Sequence, residues 1–211
     1  MTAVSEQAPY HHGNLRAALI DAGVELAREG GPDAVVLREA SRHAGVSHNA
    51  AYRHFADRDS LLAAVCGRCM SALARLMETR IAQAAPASEV GLKAARRRLR
   101  ATGEAYVEFA LTEPGWFRTA FAVPSHLHYL AGDEGRGESG LGPLELLGAQ
   151  LDALEKAGGL APERRPGAEF SAWSAVHGLS MLLIDGPLRE LPKAERDAAL
   201  EHLLDTVTRG L

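Results

Sequence analysis

Apolar side chains recur at three- and four-residue spacing along most of the chain. Leu15, Ala18, Leu19, Ala22, Leu26 and Ala27 draw one stripe at the helical period, which predicts a helix over residues 12–29. Gly30-Gly31-Pro32-Asp33 stops it, because glycine ends helices readily and proline cannot continue them. A short helix over 37–44 then buries Leu37, Ala40 and Ala44. Gly45 makes a turn, and a third helix over 47–55 points Val46, Ala51 and Phe55 inward. Ser47 fits its N-cap, since the hydroxyl can accept from an orphan amide of the first turn. Longer helices are predicted over 58–84, 89–112, 115–123, 141–157, 167–185 and 193–209, with Pro86, Pro114, residues 158–166 and Pro187/Pro192 as punctuation. The glycine-rich, polar stretch 131–140 reads as a mobile loop.

This is an all-α pattern in two parts. Three short helices (residues 10–57) precede a larger helical bundle (58–211). A glycine-hinged turn between two short amphipathic helices is the local pattern of a DNA-binding helix-turn-helix. Charge does little to help it. The chain carries a formal net charge of −4, and residues 1–60 hold six arginines against eight acids. A specific reader needs positive groups on one face only, so the balance implies few, local contacts rather than bulk attraction to DNA.

Three blocks extend the motif. Tyr10-His11-His12-Gly13-Asn14-Leu15-Arg16, Leu37 through Ser47, and Ala51-Tyr52-Arg53-His54-Phe55-Ala56-Asp57-Arg58-Asp59-Ser60-Leu61-Leu62 together resemble the tetracycline-repressor (TetR) family in order and spacing. Glu113-Pro114-Gly115-Trp116-Phe117 and Trp173 through Leu179 are similar to a subgroup with a Trp…His-Gly regulatory domain. The resemblance implies a homodimeric regulator, most often a repressor. Its N-terminal helices would read a palindrome in double-stranded operator DNA, and its C-terminal bundle would bind a small apolar or aromatic effector. It also implies roles for individual residues. Arg38, His48, Asn49, Ala50 and Tyr52 become groove-facing, with Arg38 suited to a guanine and Asn49 to an adenine or a phosphate. Ser47, Tyr52, Arg53, His54 and Arg58 become backbone-positioning residues, and His11 and His12 are further phosphate candidates. For Tyr52 and His54, capping or packing between helices is the competing role. For Arg53, Arg58, His48 and Asn49 it is simple solvent exposure. Val36 departs from the family's usual Ser or Thr, so the second helix must be capped from elsewhere.

In the bundle, Met70, Leu73, Met77, Tyr106, Phe109, Trp116, Phe117, Phe121, Trp173, His177 and Met181 are candidates to line a cavity, since aromatic and methionine side chains make large, adaptable apolar walls. For any single one of them, filling an ordinary core is the better explanation; the apolar site is expected from the set. His177, one turn after Trp173, is either a ligand's hydrogen-bond partner or a satisfied core histidine. Phe170, Trp173, Ala175, Gly178, Leu179 and Leu182, with Leu200, Leu203, Leu204 and Val207 on the last helix, are the expected dimer stripes. They too could be plain core.

Other chemistries find little support. Cys66-Gly67-Arg68-Cys69 has redox or zinc spacing, yet no βαβ pattern surrounds it and no second cysteine pair exists to complete a zinc site. No G-x-S-x-G elbow, P-loop, dinucleotide fingerprint or HExxH helix is present, so an enzyme is not expected, nor a cofactor or metal. No apolar run of bilayer length and no signal peptide stand out, which predicts a cytoplasmic protein without a membrane partner.

Overall fold

A computed structural model describes residues 15–122 and 135–210, and these form helices with no strand among them. The N-terminal part holds α1 (Leu15–Gly30), α2 (Leu37–His43) and α3 (His48–Tyr52). The remainder holds α4 (Arg58–Ala84), α5 (Leu92–Thr112), α6 (Pro114–Ala120), α7 (Pro143–Lys156), α8 (Ala168–Ile184) and α9 (Lys193–Gly210). Short 3₁₀ turns at Pro32–Ala34 and Pro162–Arg164 had no periodicity to announce them. Helix α3 is shorter than the 47–55 expected from the sequence, because Arg53, His54 and Phe55 close back on Ala50 and Ala51 as a turn. His11 and His12 lie outside the described residues.

The turn between α2 and α3 needs its glycine. Gly45 has φ of +67°, a left-handed conformation that side chains disfavour, and Val46 N–H then reaches back to Ser41 O at 2.9 Å. Ser47 caps α3, accepting from Ala50 N–H at 3.2 Å. Helix α4 starts on a reciprocal cap. Ser60 N–H donates to Asp57 Oδ1 at 2.7 Å, and Asp57 N–H donates to Ser60 Oγ at 3.3 Å.

Helix α4 belongs to both cores. Leu61, Leu62, Val65, Cys69 and Met70 pack with Leu19, Val35, Ala51 and Phe55 in the first. Leu73, Ala74 and Met77 pack with Tyr106, Phe109, Phe117 and Leu183 in the second. The helix assigned by sequence to the second domain therefore completes the core of the first. By length and composition α4 could also cross a membrane, contrary to the expectation that no such run exists, but 67% of that window is buried inside this fold. Its apolar surface is used by the two cores.

At the far end of α4, Arg98 of α5 donates to the O of the C-cap Ala85 at 3.2 Å and to Glu89 O in the following connection at 2.6 Å. The described half of the predicted mobile loop, residues 135–140, is tied down. Glu78 accepts from Glu138 N–H and Ser139 N–H at 2.9 Å each, and from Ser139 Oγ–H at 2.5 Å.

Hydrogen bonds from Ser60, its backbone N–H first, hold the Asp57 carboxyl below its ordinary range. Its cap therefore stabilises the fold above the carboxylate's unfolded pKa and is lost as pH falls through the folded value. Asp57→Ala is expected to lower the melting temperature at pH 7, with the gap to wild type closing toward pH 3 in a series of thermal melts.

Candidate nucleic-acid interface and regulatory cavity

Ala51 and Phe55 are almost fully buried and Val46 packs against the same core, which fixes the rotation of α3. The opposite face is thereby turned to solvent. Arg38 on α2 and Ser47, His48, Asn49, Tyr52, Arg53 and His54 on and around α3 are exposed, and Ala50 is half-buried. Half of Tyr52 is accessible, and its ring meets His48 edge-on with centroids 4.7 Å apart. Tyr52 and His54 are thus not packed between helices. Neither Arg38 nor Arg53 has a carboxylate partner among the described residues, whereas Arg42 beside them is held by Glu39 at 2.9 Å. The surface offers two arginines, three histidines including His43, an amide and a phenol around one five-residue helix. These donors suit phosphate oxygens and base edges.

Arg58 is turned to another task. Its Nε donates to Val35 O at 3.0 Å and its Nη2 to Pro32 O at 2.7 Å, so the guanidinium ties the start of α4 to the turn before α2. In the free protein it thereby positions the reading surface, with its side chain still partly exposed. Val36 stands at the N-cap of α2 with no side-chain cap, and the nearby Asp33 lies 3.8 Å from Arg58.

A second feature lies in the bundle. A cavity of about 40 Å³ is enclosed by α4, α5, α7, α8 and α9 and by Phe121 just after α6. Met70, Met77, Tyr106, Phe121 and Trp173 line it. Phe109, Trp116, Phe117, His177 and Met181 do not, and neither does Leu73. Phe117 is fully buried in the core, Phe109 lies beside Trp116, and Met181 faces outward. The other wall residues include Leu99, Thr102, Leu147, Ala172, Val176 and Leu204. Small and aliphatic residues at helical spacing carry no sequence signal that separates a cavity wall from a core.

His177 sits behind this wall. Trp173 Nε1–H donates to Tyr106 Oη at 2.8 Å, and Tyr106 Oη lies 2.8 Å from His177 Nδ1. Burial lowers the His177 pKa and raises that of Tyr106, so both stay neutral near pH 7. Because Tyr106 Oη already accepts from Trp173, its O–H donates to Nδ1, which places the neutral imidazole's own proton on Nε2. His177 does not line the cavity, and its ring stacks on Phe117 at 5.5 Å.

Helix α6 joins cavity and reading surface. Trp116 Nε1–H donates to Val24 O of α1 at 2.8 Å, and the Arg28 guanidinium lies over the Trp116 ring at 4.9 Å while also pairing with Glu113. Gly115 is required here, because a Cβ would run into the Ala27 and Arg28 carbonyls. On the other side Arg118 grips Asp185 at the end of α8 at 2.6 Å, holding that carboxyl below its ordinary range. Cys66 Sγ–H donates to Ala120 O at 3.0 Å. Burial pushes the Cys66 thiol up to about 11 and raises that of Cys69 as well. Both stay protonated and enclosed, which removes the thiolate a redox sensor needs.

The leucine stripe expected to form a dimer on the last helix faces its own chain. Leu204, Val207 and Thr208 line the cavity, and Leu200 and Leu203 pack on the second core. On α8 the outward set is Phe170, Gly178, Met181 and Leu182, while Leu179 is buried.

Comparison with known proteins agrees with both halves. Residues 19–65 match the family described as bacterial regulatory proteins, tetR family, and residues 99–207 match the tetracyclin repressor-like C-terminal domain. An HTH-type transcriptional repressor of Mycobacterium tuberculosis is 31% identical over 71 residues, 34% of this chain and 38% of that protein. The match therefore spans well under half of that relative. A protein of unknown function from Rhodococcus sp. RHA1 shares the fold with a TM-score of 0.75 and 28% identity, over 97% of this chain and 99% of that one. A TetR variant from Acinetobacter baumannii in complex with minocycline superimposes with a TM-score of 0.61 at 19% identity, over 92% and 94% of the two chains.

The different placements of Arg53 and Arg58 separate in a salt titration. On DNA from upstream of the reading frame, Arg53→Ala is expected to reduce the slope of log K against log salt by about 1 per half-site. Arg58→Ala is expected to weaken binding and leave the slope unchanged. A reduced slope for Arg58→Ala, read by fluorescence anisotropy, would put that side chain on a phosphate.

Proposed function

The chain belongs to the TetR family of bacterial regulatory proteins, and on that footing we propose that it is a cytoplasmic repressor. It binds a palindromic operator as a homodimer and leaves it when a small apolar molecule enters the bundle. The observation that carries this reading is the division of α3. Its inner residues are locked in the core, and its outer residues together with Arg38 present unpaired donors to solvent. Such a face has no structural task within the chain and has the residue types that contact phosphates and bases.

Dimerisation is supported by α8. Glu169 is its only formally charged residue, and Phe170, Ser174, Gly178, Met181 and Leu182 share its exposed face. Phe170 is 59% accessible in the single chain. A helix apolar on every side is normally covered on every side, and a second copy related by a two-fold axis would cover this one. Two reading helices in a fixed relation would then address half-sites one turn of DNA apart, ~34–36 Å.

Regulation follows if the effector favours the shape that does not fit those half-sites. Phe121 is both a wall of the cavity and the end of α6, and α6 is bonded to α1 of the reading head. A molecule that moves Phe121 therefore acts on α1 through packed and hydrogen-bonded groups. The minocycline complex of the Acinetobacter protein is a precedent for small-molecule binding in this fold.

Footprinting of DNA upstream of the reading frame is expected to reveal a protected palindrome; protection without two-fold symmetry would contradict the dimeric reading. Arg38→Ala is expected to cost about 1–3 kcal/mol on that site and to relax preference at one position, whereas equal loss on random DNA would demote Arg38 to a phosphate contact. Leu182→Glu on the α8 face is expected to yield monomers at micromolar concentration in light scattering and to abolish footprinting. A monomeric wild type would end the dimer model.

A further inference from the structure

The polar groups around the cavity are already satisfied by the protein. No charged side chain lines it among the described residues, and its polar side chains are Thr102, Tyr106, Trp173 and Thr208. Thr102 Oγ1–H donates to Arg98 O at 2.9 Å and Thr208 Oγ1–H to Leu204 O at 2.8 Å, each within its own helix. Trp173 donates to Tyr106, and Tyr106 donates to His177. Every side-chain N–H or O–H on the wall thus has an acceptor before any ligand arrives. A carboxylate, phosphate or ammonium buried there would lose its water and find no partner, a heavy cost.

Size narrows the class further. About 40 Å³ holds only a few heavy atoms, well short of the ~150 Å³ in which an apolar cavity accommodates benzene. A ligand must therefore displace part of the wall. Phe121 is the aromatic wall residue with no polar atom to anchor it. It is half-buried at the end of α6, held only by ring contacts to His177, Phe117, Trp173 and Tyr106 at 5.0, 5.2, 6.1 and 6.2 Å. Swinging it aside vacates the volume of one ring.

Resting on the ligand-responsive reading above, we propose that the effector is an uncharged, hydrocarbon-rich molecule of about one ring. It enters without hydrogen bonds by taking the place of Phe121. Occupancy is thereby reported to α6 by the same side chain that was displaced.

Toluene, benzoate and benzylammonium share one ring and differ in charge at pH 7.5, which makes them suitable probes for calorimetric titration of the full-length protein. Toluene is expected to bind at least tenfold more tightly than either ion. Binding should weaken at least tenfold in Ala172→Leu, whose added carbons occupy the cavity, while far-UV circular dichroism and a thermal melt show that this variant still folds. Phe121→Ala, with the ring already absent, is expected to bind toluene at least threefold more tightly and to show the same operator affinity with and without toluene. Equal or tighter binding of an ion, no binding of toluene to wild type, or weaker binding to Phe121→Ala would each overturn the proposal. Toluene that binds wild type as expected yet leaves operator affinity unchanged would instead overturn the ligand-released repressor and leave the cavity's chemistry standing. The comparison of the three probes on wild type decides the matter even if Ala172→Leu fails to fold.

Discussion

The hydrogen bond from Trp116 to the Val24 carbonyl is the contact on which the two halves of this protein depend. It places the short helix α6 directly against α1, with Gly115 as the only residue type that allows the approach. Arg28 reinforces the junction from two directions, over the indole and onto Glu113. The same seven-residue helix is held to α8 through Arg118 and Asp185, and to α4 through Cys66. Trp116 and Phe121 pack against both main cores. A movement at either end of α6 has little freedom to dissipate, because packed interiors transmit displacement instead of absorbing it.

This arrangement matters because the reading surface itself is sparse. The overall charge is negative, and α3 offers few donors. With so little non-specific attraction available, placement decides affinity. Arg58 contributes by fixing the turn before α2, and the buried Ala51 and Phe55 contribute by fixing the rotation of α3. A regulator of this kind can be switched by a small change in geometry, since each misplaced contact is a large share of the total.

The helical plan was legible in the sequence because each long helix repeats its apolar residues at the right period, and proline or glycine closes it. The reading face was legible for a related reason: Ala51 and Phe55 had to point inward, so their neighbours could not. Other features had no such signal. The partners of Arg58 are the carbonyls of Pro32 and Val35, and the partner of Trp116 is the carbonyl of Val24. Backbone acceptors are the same in every sequence, so neither contact could be read in advance. Which stripe of α9 meets its own chain depends on how helices cross, and its leucines turned inward. The aromatic residues of the bundle were recognised as a group. Their division into cavity wall and core follows from the placement of α6, which sends Phe117 inside and Phe121 to the rim.

If α6 is the coupling element, a change at the cavity must be felt in α1 with no ligand or DNA present. Amide hydrogen exchange of wild type and Phe121→Ala measures this directly. Faster exchange in the variant is expected over residues 24–30 of α1, beyond any change in the helices that line the cavity. Altered exchange confined to the cavity helices, with α1 identical to wild type, would contradict the account.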